Sequence, residues 1–400
     1  MDVATRLADA VEPFVGGDLP VRLRAWDGSE AGPADAPLVV LHSPDAVRRL
    51  LWRPGELGAA QAYVTGELDV PGDLDEALTH AFAVAAERGL PRRPGPRAVL
   101  RALGAARALG VIGRPPRTPA SQVQVARDHY DLSNDFYELI LDPAMAYSCA
   151  WFERPDMSLE EAQRAKLDLV CTKLGLEPGM RMLDVGCGWG SLSLHAAEHY
   201  GVEVLGVTIA GQQKAFIDKR IADRGLTDRV EIRVQDYREI PHLSTSGGGF
   251  DAVGSLEMGE HVGRRHYATY AGVLHRAVRP GGRVLVQQMS RQGRNGGKHP
   301  GGGPFIETFI APDMHMRPVG ETIGYLEAAG LEVRDVQALR EHYVTTVAGW
   351  LENFEAHLPQ LTALLGEEVV RVWRLYLVGG SMAFRDGRMG VDQILMERPR

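Results

Sequence analysis

Cysteine is scarce in this 400-residue chain, which has only Cys149, Cys171 and Cys187. Three are too few for a disulfide framework, and they lack metal-site spacing. No metal centre is expected, and a reducing compartment fits. Long apolar runs are missing too, and none approaches the length that spans a bilayer. The N-terminal MDVATRLADAVEPF carries early acidic residues and no apolar signal core. Together these absences point to a cytosolic protein. An overall basic excess is also lacking. The net charge of −8 argues against general nucleic-acid binding, so no nucleic-acid partner is expected. With 44% hydrophobic and 24% charged residues the composition is that of a globular protein, not a disordered or fibrous one.

The length favours a large domain beside a smaller one. Residues 1–85 read as an accessory module, with short strands in VRLRAWDG and APLVVLHS and helical spacing in DAVRRLLW and DLDEALTHAFAVAAERG. Residues 86–121 read as a linker rich in Arg and Pro, whose middle, AVLRALGAARAL, has the pattern of a short amphipathic helix. From Arg88 to Arg117 there are eight arginines and no acidic residue. That stretch suits either an anionic headgroup surface or a solvated linker. Residues 122–400 alternate helix and strand. SLEEAQRAKLDLVCTKLGL opens with a capping box, Ser158 and Glu161. The strands RMLDV, VEVLGVTI, VEIRV, FDAVGSLEM and GGRVLVQQMS are nearly continuous in apolar residues. That pattern calls for a parallel sheet covered on both faces.

The strongest local signal is MLDVGCGWGSL. A strand ends at Asp184, and Gly186, Gly188 and Gly190 then lead into a helix. Glycines let the backbone approach a ligand closely, and the following helix N-terminus offers unpaired N–H groups. The G-x-G-x-G spacing, with the acid before the glycines, is unlike the dinucleotide fingerprint. It resembles the S-adenosylmethionine loop of class I methyltransferases. The second strand, moreover, does not end in the Asp or Glu that a nicotinamide nucleotide's ribose would need. Asp184 offers a charged acceptor suited to the methionine ammonium or a bridging water.

Beyond this loop, DHYDLSNDFYELILDPAMAYSCAWF, SLEEAQRAKLDLV, GVTIAGQQ, QDYRE, EMGEHVG, IAPDMHMRP, REHYVTTVAGW and AFRDGRMGVDQILM resemble the cyclopropane fatty acid synthase family, which includes the mycolic acid cyclopropane synthases. The likeness spans about residues 122–398. It implies an α/β fold: a class I, Rossmann-like methyltransferase with a seven-stranded sheet, a helical cap and a small N-terminal accessory domain. It implies S-adenosylmethionine as cofactor. The contacts it carries over are Tyr147, Ser148, the loop from Met182 through Asp184, Gly186 and Gly188 to Gly190, Thr208, Gln213, Gln235, Asp236 and Leu256. It also implies a bicarbonate ion beside the reacting carbon, held by the Cys149 backbone, Glu260 and Tyr343. Gln287 stands where the family has His, and Met289 where it has Ile. An amide still donates a hydrogen bond to an anion, but it cannot relay a proton. Glu257 is the less favoured carboxylate for the same site, and Asp313 and His315 are further candidates for handling a proton. Cys149 is expected to act through its backbone.

The reaction implied is methyl transfer to the cis double bond of an unsaturated phospholipid acyl chain. An isolated alkene is a poor nucleophile, so the sulfonium must drive the step, and the site must then stabilise a cation and remove a proton. Proton loss gives either a cyclopropane ring or, after a hydride shift, a 10-methylene branch. The missing His resembles actinobacterial members that make methylene precursors of 10-methyl fatty acids, and slightly favours the methylene. Partners implied are phospholipid acyl chains at the inner membrane surface, a reductase if a methyl branch is the end product, and a second copy of the chain. A small-molecule N- or C-methyltransferase and a non-catalytic lipid-binding module are the alternatives.

Overall fold

The computed structural model describes residues 1–89, 95–114, 116–119, 133–240, 249–293, 299 and 301–400. The first motif of the family resemblance, DHYDL at 128–132, lies outside them, as do Arg92 and Arg93. Two compact units are present. One comprises Met1–Arg127, Thr308–Ile310 and Leu365–Met382, and the other comprises the remainder.

The first unit holds a small sheet of β1 (Arg22–Arg24), β2 (Glu30–Ala31), β3 (Leu38–Leu41) and β4 (Leu68–Asp69), in the order β2-β1-β3-β4. Its core gathers Ala4, Leu7, Leu23, Leu41 and Ala62. Within the Arg- and Pro-rich stretch runs the helix Pro96–Ala108. Pro96 stands at its first turn, where a missing N–H costs nothing.

The second unit is built on β5 (Arg181–Val185), β6 (Glu203–Thr208), β7 (Val230–Val234), β8 (Phe250–Leu256), β9 (Val278–Arg291), β10 (Glu332–Ala338) and β11 (Met389–Glu397). Their order is β10-β11-β9-β8-β5-β6-β7. The pairs from β9 through β8, β5 and β6 to β7 are parallel, and β11 inserts antiparallel between β9 and β10. This is the seven-stranded sheet that the family resemblance implies; the strand pattern alone called for a parallel sheet, from which β10 and β11 depart. Continuous apolar strands follow from burial on both faces. Met182 faces one core cluster with Leu167, Val170 and Leu192, while its neighbours Leu183 and Val185 face another with Tyr270, Leu274 and Val284.

Crossover connections in a parallel sheet leave the strand ends free to hold a ligand. Here β5, β6 and β8 end side by side in Asp184–Val185, Thr208 and Leu256. The helix Leu159–Leu174 begins with the expected capping box, Ser158 accepting from the Glu161 N–H and the Glu161 carboxylate accepting from the Ser158 N–H.

Candidate active site

The glycine loop turns from β5 into the helix Ser191–Tyr200 with Gly186, Gly188 and Gly190 all at positive φ, +79°, +52° and +81°. The three differ in what surrounds them. A Cβ on Gly186 would meet Met258 at 2.7 Å, and one on Gly190 would meet Ile217 at 2.9 Å, whereas Gly188 faces open space. The outer two glycines therefore serve close packing, and the middle one leaves backbone exposed to a ligand. Trp189 anchors the loop, its indole N–H donating to Asn134 at 2.9 Å and its ring lying 4.3 Å from that of Tyr137. The helix Asn134–Ile140 thus caps the loop.

Asp184 is buried and accepts from the Ser193 hydroxyl at 2.7 Å. Burial pushes its carboxyl up to about 6, against the pull of Ser193 and Lys166. Thr208 donates to the Gln213 side chain at 2.8 Å, so these two expected contacts form one unit. Gln235 donates to the Glu239 carbonyl at 2.6 Å, Asp236 pairs with Arg238, and Leu256 is half-buried at the end of β8. The Tyr147 ring lies against Tyr137 and Trp350. Ser148 is buried and accepts from the Lys166 ammonium at 2.6 Å. Sequence reasoning missed Lys166. It is fully buried, its charge disfavoured by desolvation but supported by Glu257, Asp142 and Asp184. The available signal was a lysine on the inward stripe of a helix, between Ala162 and Val170.

The segment carrying Cys149 is strapped by three hydrogen bonds to two side chains. Gln163 donates to the carbonyls of Ala146 and Ser148 at 3.1 and 2.8 Å, and the Ala150 N–H donates to the Thr346 hydroxyl at 3.0 Å. The Cys149 N–H is thereby aimed at a carboxylate, which is that of Glu257 at 2.7 Å. The same Glu257 oxygen accepts from the Gln287 amide at 2.9 Å, and its other oxygen accepts from the Tyr343 hydroxyl. Tyr343 is held by stacking on Phe384, with ring centroids 4.3 Å apart. Gln287 is fully buried and bonded at both ends of its amide, donating also to the Cys149 carbonyl and accepting from Gln393. The Cys149 thiol is buried and pushed far up by desolvation, so its contribution is the backbone N–H.

This assembly departs from the expected one. The resemblance assigned the Cys149 N–H, Gln287 and Tyr343 to bicarbonate, with Glu260 as the protein's carboxylate. All three donors instead hold Glu257. Glu260 sits on the short 3-10 turn Gly259–His261, fully buried, and neither of its oxygens makes a hydrogen bond of ordinary geometry among the described residues. The physical reason lies in the backbone. Glu257 adopts φ +52°, a left-handed conformation rare for a residue with a Cβ, and this swings its side chain towards Cys149. A bicarbonate ion therefore does not fit the donors as they stand, because a carboxylate of the chain already uses them.

The two carboxyls are electrostatically distinct. Burial raises both, but Glu257 is opposed by three donors and by Lys166. Glu260 is pushed up to about 8 by burial and by the Glu257 charge, with His261 pulling the other way. His261 is itself raised, its burial outweighed by Asp313 and Glu260. Burial thus favours the proton most on Glu260, which lacks the donors that oppose the rise of Glu257. Asp313 lies 4.0 Å from His261, and the His315 N–H donates to the Glu260 carbonyl. A carboxyl protonated in the fold but ionised when unfolded makes folding take up a proton. Its contribution is complete below 4.5 and is lost as pH rises towards about 8. Glu260→Gln should therefore flatten the decline in urea midpoint across that window relative to the unmodified chain. Parallel profiles for the two proteins would contradict this protonation state.

The family described as mycolic acid cyclopropane synthetase matches residues 117–394. A probable fatty acid methyltransferase of Pseudomonas putida is 36% identical over 95% of this chain and 92% of its own length. The cyclopropane-fatty-acyl-phospholipid synthase of Escherichia coli is 32% identical over 92% of this chain and 89% of its own. Among solved structures, a mycolic acid cyclopropane synthase complexed with SAH and CTAB superposes with a TM-score of 0.63 at 33% identity, covering 70% of this chain and 98% of that one. The open Gly188 backbone, the strand-end Asp184 and Thr208 and the buried Ser148–Lys166 pair fit S-adenosylmethionine. The chain belongs to the mycolic acid cyclopropane synthetase family and is an S-adenosylmethionine-dependent methyltransferase of lipid acyl chains.

Proposed function

We propose that the chain methylates the cis double bond of an unsaturated phospholipid acyl chain and releases a methylene-branched product. When bound, the cofactor supplies an electrophilic methyl group, and its transfer to the alkene leaves a cation on the neighbouring carbon. The residues of the chain then have three tasks. Gly186–Gly190, Asp184, Ser148 and Thr208 hold the cofactor so that methyl and alkene meet in line. The Tyr343, Trp350 and Phe384 rings, packed together beside the carboxylate, keep water from the cation. A buried carboxylate stabilises the positive charge and takes the proton.

The observation that carries the methylene reading is the locked amide of Gln287. Where the family resemblance expects a titratable His, this side chain is bonded at both ends and accepts no proton. Without that second base, ring closure loses its assistance. A hydride shift from the methyl-bearing carbon then moves the positive charge onto that carbon, and loss of a methyl proton forms the exocyclic double bond. The Pseudomonas relative, named a fatty acid methyltransferase and alignable over nearly the whole chain, supports this reading. The Escherichia coli relative, named a cyclopropane synthase, supports the alternative of a ring. Lipids from cells expressing the chain, fed oleate and lacking a reductase, should show an exocyclic methylene in the proton NMR spectrum. A cyclopropane signal alone would select the ring.

The substrate class also asks for access to a lipid surface. No helix among the described residues is long and apolar enough to cross a membrane. The helix Pro96–Ala108, however, exposes Val99, Leu100 and Leu103 together with Arg107, and Arg101 stands beside them. Exposed apolar and arginine side chains on one short helix suit the interface of an anionic bilayer. Replacing Arg101 and Arg107 by Ser should weaken sedimentation with phosphatidylglycerol vesicles by about 1 kcal/mol per arginine at low salt. Unchanged binding would assign the helix to the accessory unit's own packing.

A further inference from the structure

We infer that Glu257 is a built-in replacement for bicarbonate, so that this enzyme carries its reaction's anion and base as part of its own chain. The inference rests on the proposed cation chemistry and on four observations. First, the donors that would hold an external anion, the Cys149 N–H, the Gln287 amide and the Tyr343 hydroxyl, all converge on the Glu257 carboxylate. Second, Glu257 adopts a left-handed backbone that a non-glycine residue keeps only when its surroundings over-determine it, and such strain gathers at functional sites. Its own N–H donates to the Gln287 carbonyl at 2.6 Å, which pins the strained residue to β9. Third, a buried cation, Lys166, lies within electrostatic reach on the cofactor side. The negative charge is therefore compensated without a hydrogen bond that would block the carboxylate. Fourth, the side chain whose place in the family is taken by a titratable His is here Gln287, whose amide donates to Glu257. A donor that cannot titrate is the partner required by a carboxylate that must stay charged until the cation forms.

The step balances without any further reactant. After the hydride shift a methyl C–H bond of the cationic chain breaks, and its electron pair becomes the π bond of the exocyclic methylene. The proton passes to a Glu257 oxygen, giving a neutral carboxylic acid. Neither Glu260 oxygen makes a hydrogen bond of ordinary geometry among the described residues, so the three donors serve Glu257 alone. A tethered base also has less freedom than a diffusible ion to choose which C–H it meets, which links this inference to product choice.

The test uses the full-length enzyme with S-adenosylmethionine and oleoyl phospholipid vesicles. In buffer freed of carbon dioxide, the unmodified enzyme should turn over as fast as in buffer supplemented with sodium bicarbonate. Glu257→Gly relaxes the left-handed residue and empties the cradle. Its turnover in the carbon dioxide-free buffer should fall roughly 10²–10⁴-fold, the range a general base supplies, and added bicarbonate should restore a large part of it. Carbon-13 bicarbonate should give a bound NMR signal with Glu257→Gly and none with the unmodified enzyme. Should the glycine variant not fold, Glu257→Gln keeps the side chain's shape, and the bicarbonate response of the unmodified enzyme still decides. An unmodified enzyme that binds carbon-13 bicarbonate or needs it for turnover would overturn the inference, as would full activity of Glu257→Gly without bicarbonate. Failure of the unmodified enzyme to methylate oleoyl lipid under any condition would instead reject the proposed function.

Discussion

A carboxylate buried away from water must be held by donors and balanced by charge, and the rest of this site is arranged around that requirement. Glu257 is half-buried, and its carboxylate is turned inward onto three donors. A bare ion there would be neutralised by taking up a proton. It is kept available for charge by a backbone N–H, an amide, a phenol and the field of Lys166. Each of these needs its own support. The N–H of Cys149 depends on Gln163 and Thr346 to fix the strap from Ala146 to Ala150. The amide of Gln287 depends on Gln393 in the neighbouring strand β11. The phenol of Tyr343 depends on Phe384. Elements from both ends of the second unit therefore converge on one carboxylate, and the pairing of β11 with β9 brings Gln393 to Gln287.

The same electrostatics join the two halves of the chemistry. Lys166 bonds Ser148, an expected cofactor contact, and its charge is felt by both Asp184 and Glu257. One buried cation is thus shared between the cofactor end and the proton-accepting end. Burial above all, and then the nearby Glu257 charge, push the Glu260 carboxyl up to about 8. Two carboxyls three residues apart are in this way given different surroundings, Glu257 held by three donors and Glu260 by none of them.

Much of this was legible in the sequence, for identifiable reasons. The sheet followed from strands such as RMLDV, whose alternate residues enter cores on opposite faces. The capping box of Ser158 and Glu161 was readable because it depends on spacing within a single turn. Motif position singled out Cys149, Tyr343 and Gln287, which the structure brings together around one carboxylate. That this carboxylate is Glu257 and not Glu260 was not legible. Glu260 stands in the recognisable EHVG motif, whereas Glu257 precedes it. What sends Glu257 inward is a positive φ at a residue with a Cβ, a conformation that no local pattern signals. Lys166 was missed because a lysine in an amphipathic helix reads as solvated until its neighbours are known to be buried. The contribution of Leu365–Met382 to the N-terminal unit joins segments far apart in the chain, which periodicity cannot detect.

The central claim is that the anion beside the reacting carbon belongs to the polypeptide. The most direct measurement is a high-resolution crystal structure of the full chain with S-adenosylhomocysteine, grown in bicarbonate-containing buffer. The account predicts continuous density from the Glu257 backbone to a carboxylate contacting the Cys149 N–H, the Gln287 amide and the Tyr343 hydroxyl. A separate planar ion on those three donors, with the Glu257 side chain turned elsewhere, would contradict it.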